Sequence, residues 1–223
     1  VMAVINYFEG NPLFNAGIGA TCTAEGTFEL DASIMEGKDL SAGAVAGLKH
    51  VKHPINAAYA VKTKSPHVML SGAGAEEFAK EQGLEMVEDN MYFATPKTME
   101  WIEKLKQESK KNGTVGCVVL DKQGNLTAGT STGGMFKKRW GRIGDSPVIG
   151  AGTYADNNSC AVSCTGHGEY FIRHAVAFDV CARYKYLKES VEKAADYIIH
   201  TELNTNAGNG GLIAVDKLGN IAM

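Results

Sequence analysis

Thr114 is the residue best placed to do chemistry, because it follows a glycine and opens an apolar stretch, 115–120, that predicts a buried strand. A threonine hydroxyl alone is a weak nucleophile. Cleavage of the preceding peptide bond would free an α-amine beside it, and that amine could act as the general base. Gly113 suits such a cleavage, since it has no Cβ and tolerates unusual backbone geometry. Taken alone, residues 112–116 (NGTVG) are more simply an ordinary strand that begins with threonine.

A second hydroxyl is expected close to Thr114. The segment STGG (131–134) ends the next predicted strand, so Thr132 would lie one strand away from Thr114. Its hydroxyl could hydrogen-bond the nucleophile or the attacking water. A polar turn is the alternative interpretation of this segment.

Arg142 and Asp145 lie three residues apart in a glycine-bearing loop, RIGDSP (142–147). A guanidinium can hold an α-carboxylate through two parallel hydrogen bonds, and a carboxylate can hold an α-ammonium. The pair therefore indicates a site for a zwitterion. In isolation it is more simply a local surface ion pair of small energy.

The segment TGHGE (165–169) follows a predicted strand and opens a predicted helix. The backbone N–H groups there, with the Thr165 hydroxyl, could form an oxyanion hole. A phosphate-binding loop is the rival interpretation, but the segment lacks both the Lys-Ser/Thr pair and the third glycine of the nucleotide motifs. His167 is expected to line the pocket, because Thr114 would supply its own base.

Composition excludes several classes of protein. A net charge of −3 gives no broad basic surface for nucleic acid, and no apolar run approaches the ~20 residues of a membrane span. The five cysteines are odd in number and form no C-x-x-C pair, which favours free thiols, a reducing and therefore cytoplasmic compartment, and no zinc site. Both ends stop inside predicted elements, so we expect a fragment of a longer protein.

The elements expected to position these residues change type along the chain. The polar segment 104–112 (KLKQESKKN) predicts a fraying helix or an exposed linker just before Thr114. The order of strands and helices predicts an α+β fold of antiparallel sheet covered by helices. The predicted elements are helix 1–8, loop 9–19, a hairpin over 21–35 turning at 25–26, helix 55–64, strand 67–70, helix 74–82, helix 95–110, strands 114–121, 126–131 and 161–165, helices 169–186 and 188–203, and strands 211–215 and 220 onward, with equivalent turns at 121–125 and 216–220.

These motifs together resemble the plant-type L-asparaginase/isoaspartyl peptidase family of N-terminal nucleophile hydrolases. The resemblance covers essentially the whole chain, with the motifs in the expected order. They are PLFNAGIGA (12–20), SPHVML (65–70), GTVGCVVLD (113–121), STGGM (131–135), GRIGDSPVIGAGTYADN (141–157), CTGHGEYFIR (164–173) and GGLIAVD (210–216).

The resemblance implies a four-layer αββα sandwich, truncated here at both ends. It also implies a single domain that cuts itself between Gly113 and Thr114 into an α-subunit part (1–113) and a β-subunit part (114–223). Two such αβ units would form a homodimer. No cofactor is implied for catalysis, and the substrate would be a small molecule or a dipeptide, with no nucleic acid or membrane partner.

Residue roles are implied by the same resemblance. Thr114 matches the nucleophile, Thr132 the supporting threonine, and Thr165 with Gly166 the oxyanion hole. Substrate binding falls to the matching residues Arg142, Asp145, Gly168 and Asn15. A structural sodium ion would be bound by the backbone carbonyls of Phe8, Glu9, Asn11, Phe14, Ala16 and Ile18.

The sequence departs from the family pattern in three places. The α-subunit lacks the strand and glycine-rich turn that normally open it, and the β-subunit lacks its last strands. The linker before Thr114 is short, and position 167 is a histidine where relatives vary.

The expected reaction is hydrolysis of L-asparagine and β-aspartyl peptides. An aspartylglucosaminidase, or an uncleaved relative without catalysis, stays open as an alternative.

Overall fold

Two β-sheets packed face to face, each covered by helices, form an αββα sandwich in this computed structural model. The structure describes residues 1–103, 113–203 and 208–223. In chain order the elements are α1 (Met2–Glu9), β1 (Leu30–Glu36), β2 (Ala42–Leu48), α2 (Pro54–Lys64), β3 (Met69–Ser71), α3 (Gly72–Glu81), a 3-10 turn (Asn90–Phe93), α4 (Pro96–Glu103), β4 (Val115–Leu120), β5 (Leu126–Thr132), β6 (Thr153–Ala155), β7 (Cys160–Gly166), α5 (Gly168–Arg173), α6 (Val176–Ala182), α7 (Val191–Asp196), β8 (Gly210–Asp216) and β9 (Ile221–Ala222).

The first sheet has the strand order β3-β2-β1-β5-β4 and is antiparallel except for the β2–β3 pair. Strand β1, which precedes Gly113, pairs with β5, which follows it, so the two parts of the chain share one sheet. Val115 pairs with Ser131. Because the strands run antiparallel, this register brings Thr114 beside Thr132 at one end of the sheet.

The second sheet, β6-β7-β8-β9, is antiparallel throughout. Its face meets the first sheet through buried hydroxyls: Thr130 Oγ1 lies 2.5 Å from Thr153 Oγ1 and 2.7 Å from Ser163 Oγ, while Ser33 Oγ donates to Thr153 Oγ1 at 2.8 Å. Hydrogen bonds of this kind are directional and costly to leave unmade in a buried layer. They therefore fix how β5, which ends at Thr132, lies against β7.

Three apolar clusters separate the layers. One lies between the first sheet and helices α1–α3, one between the second sheet and helices α5–α7, and a smaller one between the sheets. Four alanines lie between the sheets beside the hydroxyl network described above, namely Ala42, Ala128, Ala155 and Ala161, and the larger Met35, Leu126 and Val215 complete this cluster. Small residues let the sheets approach closely. No helix within the described residues is long and apolar enough to cross a membrane.

The prediction of a hairpin over residues 21–35 is wrong. Only its second part forms a strand, β1, and that strand pairs with β2, which the sequence analysis did not predict. Residues 21–29 form a loop instead, with a turn at residues 24–26 that is closed by the hydrogen bond from Thr23 N to Thr27 O. Strand β2 (AGAVAGL) is buried but built mainly of alanine and glycine, residues of low strand propensity, so tertiary packing and not propensity makes it a strand.

The two long C-terminal helices are shorter and more broken than expected. The predicted helix over 169–186 divides at Ala175, which has a left-handed φ of 48°, and both predicted helices end in wide turns with i→i+5 hydrogen bonding (Arg183–Leu187 and Tyr197–Leu203). Strand β6 was also missed. The helix predicted over 95–110 is present as α4 up to Glu103, whereas its predicted end and the predicted linker over 104–112 lie outside the described residues.

The remaining predicted helices, strands and turns within the described residues are confirmed with shifts of a few residues at element ends. The turns at 121–125 and 216–220 are equivalent: Asp121 Oδ1 accepts from Gln123 N and Asn125 N, and Asp216 Oδ1 accepts from Leu218 N and Asn220 N. All five cysteines are free, as predicted.

Candidate active site

Thr114 lies immediately before β4, with its hydroxyl beside the last residue of β5. Thr114 Oγ1 donates to Thr132 Oγ1 at 3.2 Å, and Thr132 Oγ1 in turn donates to Gly113 O at 3.1 Å. Thr132 Oγ1 also accepts from Gly134 N at 3.0 Å. A relay of two hydroxyls thus links the Thr114 side chain to the carbonyl of the peptide bond that precedes it.

The Gly113 carbonyl has a second donor. Asn15 Nδ2 donates to Gly113 O at 2.6 Å and to Gly134 O at 2.9 Å, while Asn15 Oδ1 accepts from Thr21 N at 2.7 Å. Three bonds fix the amide orientation of Asn15. Two donors on one carbonyl oxygen are the arrangement that stabilises negative charge developing on that oxygen during nucleophilic attack.

A buried carboxylate, that of Glu9, supports this end of the sheet, whereas the sequence implicated only the backbone carbonyl of this residue. The Glu9 side chain is buried at the end of α1, where Oε1 accepts from Ser131 Oγ at 2.6 Å and from Ile55 N at 3.0 Å. His53 Nδ1 lies 3.3 Å from Oε2, near enough for an ion pair but not aligned for a hydrogen bond. Burial raises the pKa of Glu9, against the lowering effects of these contacts. Glu9 therefore joins α1 and α2 to the strand that carries Thr132.

Arg142 and Asp145 do not form the local surface ion pair that was the simpler interpretation of their spacing. Its Nε and Nη2 donate to the two carboxylate oxygens of Glu169, each at 2.9 Å. The hydrogen bond from Arg142 holds the pKa of Glu169 below its usual range. His167 Nε2 lies 3.2 Å from Glu169 Oε2, so His167 contacts the rim of the site through the same carboxylate. One edge of the guanidinium is fixed, and Nη1 is left on the side of Gly144.

Asp145 is buried, and its Oδ2 has no hydrogen-bond partner within the described residues. Burial raises the pKa of Asp145 to about 6, although the Arg142 charge nearby lowers it. An unpartnered buried carboxylate oxygen costs free energy unless a cation occupies the site. This oxygen therefore marks a position suited to an ammonium group.

Two glycines border the site, and one of them, Gly168, keeps open the space between these charges. A Cβ on Gly168 would lie 2.9 Å from Arg142 Nη2 and from Asp145 Oδ1, between the two charged groups. A Cβ on Gly166 would collide with Asn209 O and with the Phe171 ring. Thr165 and Gly166 end β7, and Gly166 borders the same small cavity as Thr114 and Asp145.

The cavity at this site measures about 10 Å³. It is lined by Gly113, Thr114, Thr132, Gly134, Met135, Arg142, Gly144, Asp145, Ser146 and Gly166. That is room for one water molecule at most. A cavity of this volume is too small for an asparagine. A larger cavity of about 860 Å³ lies between α7 and strands β8 and β9, and among the described residues none lines both it and this site.

The last residues of α1, Phe8 and Glu9, and the loop that follows them carry the six carbonyls expected to bind sodium. Three of the six accept backbone hydrogen bonds: Phe8 O from Asn11 N, Glu9 O from Ile18 N, and Asn11 O from Phe14 N. Each carbonyl oxygen has two lone pairs, so these bonds leave one free. Neutral carbonyl oxygens are ligands that hard cations accept, and the donor set therefore fits such an ion. The described residues contain no cluster of three His, Cys, Asp or Glu side chains that could hold a metal.

Comparison with known proteins identifies the family. The sequence profile of the asparaginase family matches residues 1–223. An isoaspartyl peptidase of Salmonella typhimurium is 48% identical over all of this chain and 75% of its own length, and that of Escherichia coli is 45% identical over all of this chain and 74% of its length. A probable isoaspartyl peptidase/L-asparaginase 2 of Arabidopsis thaliana is 43% identical over 99% of this chain and 77% of its length.

Proposed function

This chain belongs to the asparaginase family, and we propose that it is a self-cleaving threonine hydrolase acting on L-asparagine and β-aspartyl peptides. The observation that carries the proposal is the contact of Thr114 Oγ1 with Thr132 Oγ1, beside a Gly113 carbonyl that also accepts from Asn15. The names of the relatives, isoaspartyl peptidase and isoaspartyl peptidase/L-asparaginase, support it over an aspartylglucosaminidase.

The first reaction is cleavage of the chain. Thr114 Oγ attacks the Gly113 carbonyl carbon and its proton passes toward Thr132, while Asn15 and Thr132 stabilise the oxyanion. As the intermediate collapses, the same proton passes on to the Thr114 nitrogen, the C–N bond breaks, and an ester between Gly113 and Thr114 Oγ is formed. Water hydrolyses that ester, which leaves Gly113 as a carboxylate and Thr114 with a free α-amine.

The second reaction uses the new amine. It takes the proton of Thr114 Oγ, which attacks the side-chain carbonyl of asparagine or the β-carbonyl of an isoaspartyl bond. Arg142 holds the substrate α-carboxylate, Asp145 holds its ammonium, and Gly168 lines the space between them. Thr165 and Gly166 supply the donors for the oxyanion. The protonated amine then gives its proton to the departing ammonia or amino acid, and water resolves the β-aspartyl ester.

The proposal also covers the subunits of the protein, its location and its need for ions or cofactors. We propose the subunit boundary at Gly113/Thr114, a homodimer of αβ units, and a cytoplasmic location that suits five free thiols. A sodium ion held by the carbonyls of the loop after α1 would fix the backbone that carries Asn15. Catalysis itself is proposed to need no cofactor.

The test is the intact mass of the purified protein after incubation at neutral pH, beside Thr114→Ala. We expect two fragments that meet between Gly113 and Thr114 in the wild type and one uncut chain in the variant. Only the cleaved protein should release aspartate from L-asparagine. Hydrolysis by Thr114→Ala, or an uncut wild type, would overturn the proposal; an uncut wild type would favour a relative without catalysis.

A further inference from the structure

Two of the five thiols, those of Cys160 and Cys181, lie in contact inside the apolar cluster between the second sheet and helices α5–α7. Cys160 begins β7, Cys181 lies near the end of α6, and both side chains are buried. Their Sγ atoms are 2.8 Å apart. Among the described residues, no side-chain hydrogen bond joins Cys22, Cys117 or Cys164 to another cysteine. The pair is therefore set apart from the other thiols by its geometry.

Further contacts hold the backbones of the two cysteines close together. Cys181 Sγ donates to Cys160 O at 3.3 Å, and Ser159 Oγ donates to Cys181 O at 2.7 Å. A disulfide needs neighbouring backbones and two sulfur atoms that can approach to ~2.05 Å. The two sulfurs already lie within about 1 Å of that separation, so a small side-chain movement would join them while β7 and α6 stay in place.

Burial protects the pair while α6 is packed on β7. It raises the pKa of the Cys181 thiol well above its usual range, and the neighbouring Cys160 raises that pKa further. The thiolate is the form that oxidants attack, so oxidation requires α6 to open locally. This helix has seven residues and lies between Ala175, which has a left-handed φ of 48°, and the wide turn at Arg183–Leu187. These two breaks separate α6 from the helices on either side of it.

We propose that Cys160 and Cys181 are a redox-sensitive pair that a peroxide converts into a disulfide between β7 and α6. With hydrogen peroxide, one thiolate attacks an oxygen, the O–O bond breaks, and a sulfenic acid and water form. The second thiol attacks the sulfenic sulfur, the S–O bond breaks, and another water leaves. Two thiols and one peroxide thus give a disulfide and two waters. This oxidation depends neither on self-cleavage nor on hydrolysis of asparagine.

The disulfide would join residues 21 positions apart and would stabilise the folded chain, chiefly by restricting the unfolded one. It would also secure the segment that follows Asp145. Phe178 N in α6 donates to Gly150 O at 2.8 Å, and Val148 N donates to Asp145 O at 2.9 Å. Oxidation should therefore raise the melting temperature by several degrees.

The test treats the reduced wild type with a small excess of hydrogen peroxide below its melting temperature and then counts free thiols in denaturant. We expect the count to fall from five to three, because two thiols are joined, and dithiothreitol to restore it. A digest without reductant should contain one pair of peptides, carrying Cys160 and Cys181, that is lighter by two hydrogen atoms than the separate peptides. Both cysteines follow Thr114, so the same pair is expected from the cleaved and the uncleaved chain.

Cys181→Ala should abolish the cross-link and the rise in melting temperature. The matched control is Cys164→Ala, because Cys164 is buried on the same strand as Cys160, and this variant should keep both effects. Five free thiols in the treated wild type, or a cross-link that includes another cysteine, would overturn the proposal. An equal rise in melting temperature in Cys181→Ala would also contradict it, since that rise could not come from this bond.

Discussion

The two sides of the active site are held together by different kinds of interaction. Around Thr114 the groups are neutral, and Thr132 and Asn15 use each polar atom on a fixed partner. Around Arg142 the groups are charged: Arg142 is fixed along one edge by Glu169, and Asp145 keeps a buried oxygen without a partner among the described residues. The first side has its hydrogen bonds in place without a ligand, which suits the proposed intramolecular cleavage. The second side would be completed by a ligand that carries both charges, as the proposed substrates do.

The largest effect is expected from a substitution on the neutral side of the site, around Thr114. Thr132→Val removes the hydroxyl between Thr114 Oγ1 and Gly113 O with little change of shape, and we expect self-cleavage to slow about 10²- to 10³-fold, the usual cost of one oxyanion donor. The measurement is the half-life of the uncut chain by gel or mass spectrometry. Thr132→Ser, which keeps a hydroxyl, should cleave far faster. Cleavage of the valine variant at the wild-type rate would show that the relay has no part in the reaction.

A smaller effect is expected from a substitution on the charged side of the site, around Arg142. Asp145→Asn should cleave normally, but its kcat/KM for asparagine should fall about 10- to 100-fold, because a charge-assisted bond to the ammonium is lost. With the pKa of Asp145 at about 6, the wild-type kcat/KM should decline as the pH falls below 6, where the carboxylate becomes neutral. The variant should lack that dependence. Slowed cleavage in this variant would contradict the separation of the two sides.

The smallest effect concerns stability. The pKa of Asp145 is about 6 in the folded chain and near 3.9 when unfolded, so the folded state binds more protons between these values and stability falls as the pH rises through 4 to 6. Asp145→Asn removes that cost. Above pH 6 the variant should gain at most about 3 kcal/mol in free energy of unfolding over the protein with Asp145. Its melting temperature should therefore be several degrees higher above pH 6, and the two melting temperatures should be equal below pH 4.

Thermal melts of both proteins in the uncleaved Thr114→Ala background would measure this without interference from processing. Equal melting temperatures at every pH would mean that Asp145 has a partner that satisfies it. A lower melting temperature for Asp145→Asn above pH 6 would mean that its charge stabilises the folded chain.

Local sequence signals predicted the hairpin turns at Asp121 and Asp216, because a short polar side chain bonding to its own turn is a local interaction. They failed for strand β2 and for residues 21–29. Strand β2 is built mainly of small residues with no strand propensity, and it becomes a strand because β1, β3 and α2 pack around it. Such long-range packing leaves no local pattern in the sequence.

The same distinction between local sequence signals and long-range packing applies within the candidate active site. Residue types made Thr114, Thr132, Arg142 and Asp145 candidates, because they suit a threonine hydrolase and a zwitterion, and the resemblance to a known family supplied the roles that we propose for them. The partners of the site residues came from the folded chain: Asn15 on the Gly113 carbonyl, Glu9 on Ser131, and Glu169 in place of Asp145 on Arg142. Asn15 and Gly113 are 98 residues apart, and Glu9 and Ser131 are 122 apart. Contacts over such separations depend on how the two sheets and their helices pack, which no local pattern of residues specifies.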